Sequence, residues 1–238
     1  MEHWKNSKLP CQTLPSKATS INQDKPYLTS FVKRLGRITT SQRTALGSLK
    51  DHHVSGIEDL LSAAKNYKKV ILEIGFGNGE NTAFLASKNP DALILASEVY
   101  LSGIGSLLNS ISLNSTTNIK IFDDDVRELL LKIQNELFDE IYIICPDPWP
   151  KARHHKRRLI KHDFLILLSK VLKNNGTVYI STDWENYAES IEEEVEKTTE
   201  SFEYKKISNA GMPVTRFQQR AINEGRAIHT FLLKALKK

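Results

Sequence analysis

At 238 residues the chain is long enough for one α/β domain with a substantial core, and 40% hydrophobic against 26% charged residues exclude collagen-like, low-complexity and wholly disordered chains. No apolar run approaches the ~18 residues of a membrane-spanning helix. Met1 to Pro10 hold no apolar h-region, so no membrane association and a cytoplasmic location are expected. The formal charge of +5 is unevenly spread: residues 1–50 carry nine Lys/Arg against two acids, and Lys151 to Lys161 carries six Lys/Arg and no acid. Two basic segments on a nearly neutral body point to a polyanionic partner rather than to plain solvated charge.

Residues 1–26 are polar and aperiodic and read as a flexible leader, followed by a single domain over 27–238 with a basic stretch at 27–50. From Lys69 the pattern changes. Apolar, strand-like runs at 70–76, 92–99, 119–122, 140–145 and 177–182 alternate with helix-like stretches at Asn81–Lys88, Gly103–Leu113, Val126–Glu136, His162–Leu172 and Trp184–Thr199. That alternation predicts an α/β fold, a parallel sheet with crossover helices. Two late runs, 202–207 and 227–233, predict a C-terminal antiparallel hairpin. Cys11 and Cys145 fit neither a disulfide framework nor a zinc spacing, so no metal is expected.

The first strand empties into Glu73-Ile-Gly75-Phe-Gly77-Asn-Gly79-Glu80. In an open parallel sheet the ligand lies beyond the carboxyl ends of the strands, where Gly75 and Gly77 would let it press on bare backbone. The dinucleotide spacing fails because Glu80 stands where its third glycine belongs, and an acid repels a pyrophosphate. A phosphate-free, cationic cofactor fits better. S-adenosylmethionine is one: Glu73 suits its cationic centres, Glu98 its ribose hydroxyls, and one of Asp123, Asp124 and Asp125 its adenine amino group. A nicotinamide is the competing reading.

The fourth strand ends in Cys145-Pro-Asp147-Pro-Trp149-Pro-Lys151, directly ahead of the basic island. Prolines on both sides stiffen this loop and aim its carboxylate and indole. An acid and an aromatic beside phosphate-binding cations suit an enzyme acting on an unstacked base; a proline-rich turn whose Trp covers the core is the alternative.

Taken together, LEIGFGNG (72–79), SEV (97–99), PDPWPKARHHKRRL (146–159), STDW (181–184), SFVKRLGRITTSQ (30–42) and VTRFQQR (214–220) resemble the bacterial tRNA (guanine-N7-)-methyltransferase family. The resemblance implies a doubly wound, mostly parallel seven-stranded Rossmann-like sheet of the class I methyltransferases, S-adenosylmethionine as cofactor, and methylation of a variable-loop guanosine of tRNA. It places Glu73, Gly75, Gly77, Glu98, Asp125 and Asp147 at the cofactor, with Asp147 as the catalytic acid. Lys151, Asp183, Thr215, Arg216, Phe217 and Gln218 match substrate-binding positions. Gln218 replaces the family's usual Glu, which removes a charge from that role. Trp149 and Trp184 are candidates to stack on the base or, equally, to sit in the core, and Lys33, Arg34, Arg37 and the 151–161 island would grip the RNA backbone, with His154 and His155 as phosphate neighbours or plain surface rather than catalysts. A methyltransferase of another acceptor and a non-catalytic RNA-binding module remain competing readings, and either a monomer or a homodimer is compatible.

Overall fold

Parallel strands covered on both faces need apolar side chains on both, and so read as continuous Val/Ile/Leu runs. A computed structural model describes residues 27–32, 36–208 and 211–236; the leader over 1–26, with Lys33 and Arg34, lies outside the described residues. Its strands are β1 (Lys69–Ile74), β2 (Ala92–Ser97), β3 (Ile119–Phe122), β4 (Phe138–Ile144), β5 (Leu172–Thr182), β6 (Phe202–Lys206) and β7 (His229–Ala235). They form one seven-stranded sheet in the order β3-β2-β1-β4-β5-β7-β6. The first five pair in parallel, whereas β7 runs antiparallel between β5 and β6.

Helices α1 (Thr40–Ala45), α2 (Leu49–His52) and α3 (Ile57–Ala64) precede the sheet; α4 (Glu80–Lys88), α5 (Leu101–Asn114), α6 (Val126–Leu130), α7 (His162–Val171) and α8 (Glu185–Glu196) alternate with its strands, and α9 (Arg216–Asn223) precedes β7. Side chains alternate across the sheet. Leu72, Ile74, Ile141, Ile143 and Ile180 pack on one face with Leu165 and Leu168 of α7 and Tyr187 and Ile191 of α8. Ile71, Ile94 and Ile121 pack on the other with Leu85 of α4 and Ile104, Leu107 and Leu108 of α5. Strand order reverses between β1 and β4, which opens a crevice at the carboxyl edge.

One expectation needs correction. The helix expected over Val126–Glu136 ends at Leu130: tightened turns follow, with Lys132 N–H bonded to Leu129 O and Ile133 N–H to Leu130 O. The chain must then deliver Phe138, 0% exposed, into the core at the start of β4. The late strands pair antiparallel as expected, joined by a long connection that holds α9.

Candidate active site

Beyond the carboxyl ends of β1, β2, β3, β4 and β5 lies a cavity of about 470 Å³. Glycine conformation builds its floor. Gly75, Gly77 and Gly79 take φ of +73°, +58° and +81°, which side chains disfavour, and a β-carbon on Gly79 would come within 2.7 Å of Leu107. The Glu98 carboxylate, 7% exposed, accepts from the N–H groups of Gly77 (2.9 Å), Val99 (2.7 Å) and Tyr100 (3.1 Å), tying the end of β2 to the glycine loop. Glu73, 2% exposed, accepts from Asn81 Nδ2 at 3.1 Å and from Thr82 Oγ1. Burial pushes the Glu73 carboxyl up to about 7, against the pull of those two bonds and with a small push from Glu98. Burial likewise raises Glu98, and Asp147 adds to it.

Asp124, Asp125, Asp147 and Asp183 complete an anionic lining. Asp125 caps α6 and takes a two-pronged ion pair from Arg127, Nε to Oδ1 at 2.9 Å and Nη2 to Oδ2 at 2.7 Å. Arg127 also donates to Leu28 O at 3.0 Å and lies 3.8 Å under the Tyr27 ring. Asp183 accepts from Arg226 Nε at 3.0 Å, and Arg226 pairs as well with Glu224. Asp123 does not line the cavity; it bonds His53 Nε2 at 2.9 Å.

The remaining candidates divide. Thr215 and Phe217 line the cavity, Phe217 62% exposed and 3.5 Å from where a Gly77 β-carbon would sit. Arg216 turns instead to Glu80, its N–H on Oε2 at 2.8 Å and its Nε on Oε1 at 2.6 Å. Gln218 is 3% exposed and forms a capping box with Thr215, so its amide oxygen serves the helix N-terminus. Trp184 lines the cavity and packs on the core. Trp149 does not line it: its Nε1 donates to Ser30 O at 2.8 Å, and Arg157 lies 5.2 Å from its ring centroid.

The basic island is mixed. Lys151, Arg153, Lys156 and Lys161 are exposed, as is Arg37. Arg158 is 5% exposed and cannot grip phosphates as the island reading expects. His154 stands edge-on to Trp149, and its ring is kept below the ordinary range by desolvation and the surrounding cations.

Gly103, Arg127 and Arg226 are not foreseen as site residues in the sequence, and Ser30 and Phe31, part of the family resemblance, are not foreseen as cavity lining. Gly103 alone carried a signal, because a glycine inside an apolar helical pattern marks a close backbone approach.

A mostly parallel sheet with this strand order and a glycine-floored, acid-lined cavity at its switch point has the architecture of a class I, Rossmann-like methyltransferase. Solved structures share the fold. A 16S rRNA methyltransferase, KamB, matches at TM-score 0.56 and 13% identity over 76% of this chain and 94% of that one, and an rRNA methylase from Streptococcus thermophilus at TM-score 0.50 and 15% identity over 74% and 92%.

A family model described as "Putative methyltransferase" matches residues 67–231. The tRNA (guanine-N(7)-)-methyltransferase of Nitrosomonas europaea is 39% identical over 87% of this chain and 96% of its own length, and that of Nitrosospira multiformis 38% identical over 84% and 90%. The chain belongs to the tRNA (guanine-N(7)-)-methyltransferase family.

Proposed function

We propose that this protein transfers a methyl group from S-adenosylmethionine to N7 of a guanosine in tRNA. The observation that carries the reading is that Asp147, fixed between two prolines, opens on the same cavity as the glycine loop, Glu73 and Glu98. Membership in a family whose relatives bear that name supports guanine N7 of tRNA as the acceptor.

The cavity's chemistry fits the cofactor. Its lining acids Glu73, Glu98, Asp124, Asp125 and Asp147 repel a pyrophosphate and attract a cation, and Gly75 and Gly77 leave room for close approach. When bound, S-adenosylmethionine supplies an electrophilic methyl on a sulfonium. Glu98 would accept from the ribose hydroxyls and Asp125, aimed by Arg127, from the adenine amino group, while ionised Glu73 offsets positive charge.

Guanine N7 carries a lone pair and no proton, so no base is needed before transfer, and the protein's work is to position the ring and stabilise charge. Methylation leaves the ring cationic. A fixed Asp147 carboxylate therefore favours the transition state over the neutral ground state. Asp183, held by Arg226, would accept from the guanine N1–H and amino edge. Exposed Lys151, Arg153 and Lys156, continuing the loop, would hold neighbouring phosphates. Phe217, an exposed ring beside the glycine loop, would cover cofactor and base together.

Transfer of radiolabelled methyl groups to tRNA, with protein and small-molecule acceptors as controls, tests the reading. Label entering only the tRNA fraction supports it; label entering only another acceptor, or cofactor binding without any transfer, refutes it.

A further inference from the structure

The loop that carries Asp147 has few means of holding itself. Three of residues 146–150 are proline, so only Asp147 and Trp149 offer backbone N–H groups. Cys145 and Trp149, at its two ends, take φ of +49° and +46°, a strained region for residues with side chains. Beyond the Trp149 indole, which donates to Ser30 O, such a loop needs donors from elsewhere on its carbonyl oxygens.

Arg158 is such a donor. Its Nε–H donates to Pro148 O at 3.0 Å, which clamps the peptide joining Pro148 to the strained Trp149. The rest of the guanidinium is anchored on the far side, Nη2 to Asn186 Oδ1 at 2.8 Å and Nη1 to Asn186 O at 3.3 Å, both at the start of α8. Its flat face lies 4.8 Å from the Tyr187 ring centroid. Tyr187 is itself 0% exposed, and its hydroxyl accepts from Ile160 N–H at 3.1 Å. One planar fork thus joins the Asp147 loop, the 158–160 segment and α8, a geometry that a lysine ammonium cannot reproduce.

We infer that Arg158 is a positioning residue for methyl transfer: from inside the basic island it sets the direction of Asp147 by locking the Pro148 peptide, and it does not touch the RNA. The inference rests on the role proposed for Asp147. Arg157, next along the chain, provides the contrast, with its guanidinium half-exposed over the Trp149 ring.

The test compares the wild type with Asp147→Ala, Arg158→Ala and Arg158→Lys. It follows single-turnover methyl transfer at saturating cofactor and tRNA, tRNA affinity at several salt concentrations, and thermal melting. An inactive wild type, or a fully active Asp147→Ala, overturns the reading of the site and not the geometry argued from Arg158. With that reading intact, both Arg158 variants are expected to lose at least about tenfold in the saturated rate, with tRNA affinity and salt slope unchanged. Millimolar guanidinium is expected to restore part of the rate of Arg158→Ala. A wild-type rate in Arg158→Lys, or a loss confined to tRNA affinity with a flatter salt slope, overturns the inference. Should Arg158→Ala fail to fold, Arg158→Lys decides between the same two results.

Discussion

Gly103 lies directly against Gly77: a β-carbon on Gly103 would overlap the Gly77 carbonyl oxygen and stand 3.1 Å from its carbonyl carbon and 3.4 Å from Glu98 Cγ. The first turn of α5 can therefore approach the cofactor loop only without a side chain. Gly103→Ala is expected to displace the loop, at a cost of about 1–3 kcal/mol, typical of overpacking. Calorimetry should show S-adenosylmethionine binding weakened by about tenfold or more, with the far-ultraviolet spectrum unchanged. Unaltered affinity would mean that the loop does not hold the cofactor.

Glu73 makes cofactor binding dependent on pH. Its carboxyl is raised by burial to about 7 in the cofactor-free protein, so the native state holds a proton there that the unfolded chain releases in the ordinary carboxylate range. This group's contribution to stability is present at low pH and is lost as pH rises through about 7. Cofactor affinity has the opposite sign, because a cation prefers ionised Glu73, and it should rise between about pH 6 and pH 8. Glu73→Gln is expected to flatten that rise; a rise that persists in the variant would assign it to another group.

For Asp147, substitution by Ala should lower the saturated transfer rate by well over tenfold, more than ~1.4 kcal/mol. Asn should restore part of the positioning but not the charge, and so fall between Ala and the wild type. Rapid-quench measurements at saturating tRNA separate this from weakened binding. An Asn variant as fast as wild type would argue against charge stabilisation.

Gln218→Glu should be tolerated. A carboxylate can accept from Thr215 N–H as the amide oxygen does at 3.0 Å, and Ser181 can turn its hydroxyl to donate where Gln218 Nε2 now approaches at 3.4 Å. Gln218→Ala removes the capping box and should cost about 1 kcal/mol of stability. Melting curves of the two variants check this; a large loss in Gln218→Glu would show that the neutral amide is required.

The central strands were legible because burial on both faces imposes apolar runs, as in Val70–Ile74 and Leu93–Ala96. Helix α9 was not: Phe217, Ala221 and Ile222 keep a helical spacing, but eight residues are too few to separate a helix from a loop, and only Gln218 and Ala221 are buried in it. Its Thr-x-x-Gln start is a capping-box signature, as is Thr39 to Gln42 at α1, but each is a single local signal in a stretch that otherwise stands out only by its family resemblance. The acids and glycines of the cavity could be placed from strand ends alone. Arg158 could not: six cations in eleven residues look alike in sequence, and only the packing of Tyr187 and Asn186 shows that one of them points inward.

Transfer of the methyl group to N7 of guanosine in tRNA requires that ring nitrogen, so a substrate in which it is replaced by carbon cannot react. Two transcripts of one tRNA, one with guanosine and one with 7-deazaguanosine throughout, keep the same Watson–Crick edges while only the first has N7. With labelled S-adenosylmethionine and excess enzyme, the guanosine transcript should accept label and the 7-deaza transcript none, although both compete for binding. Equal labelling of the two would contradict the account.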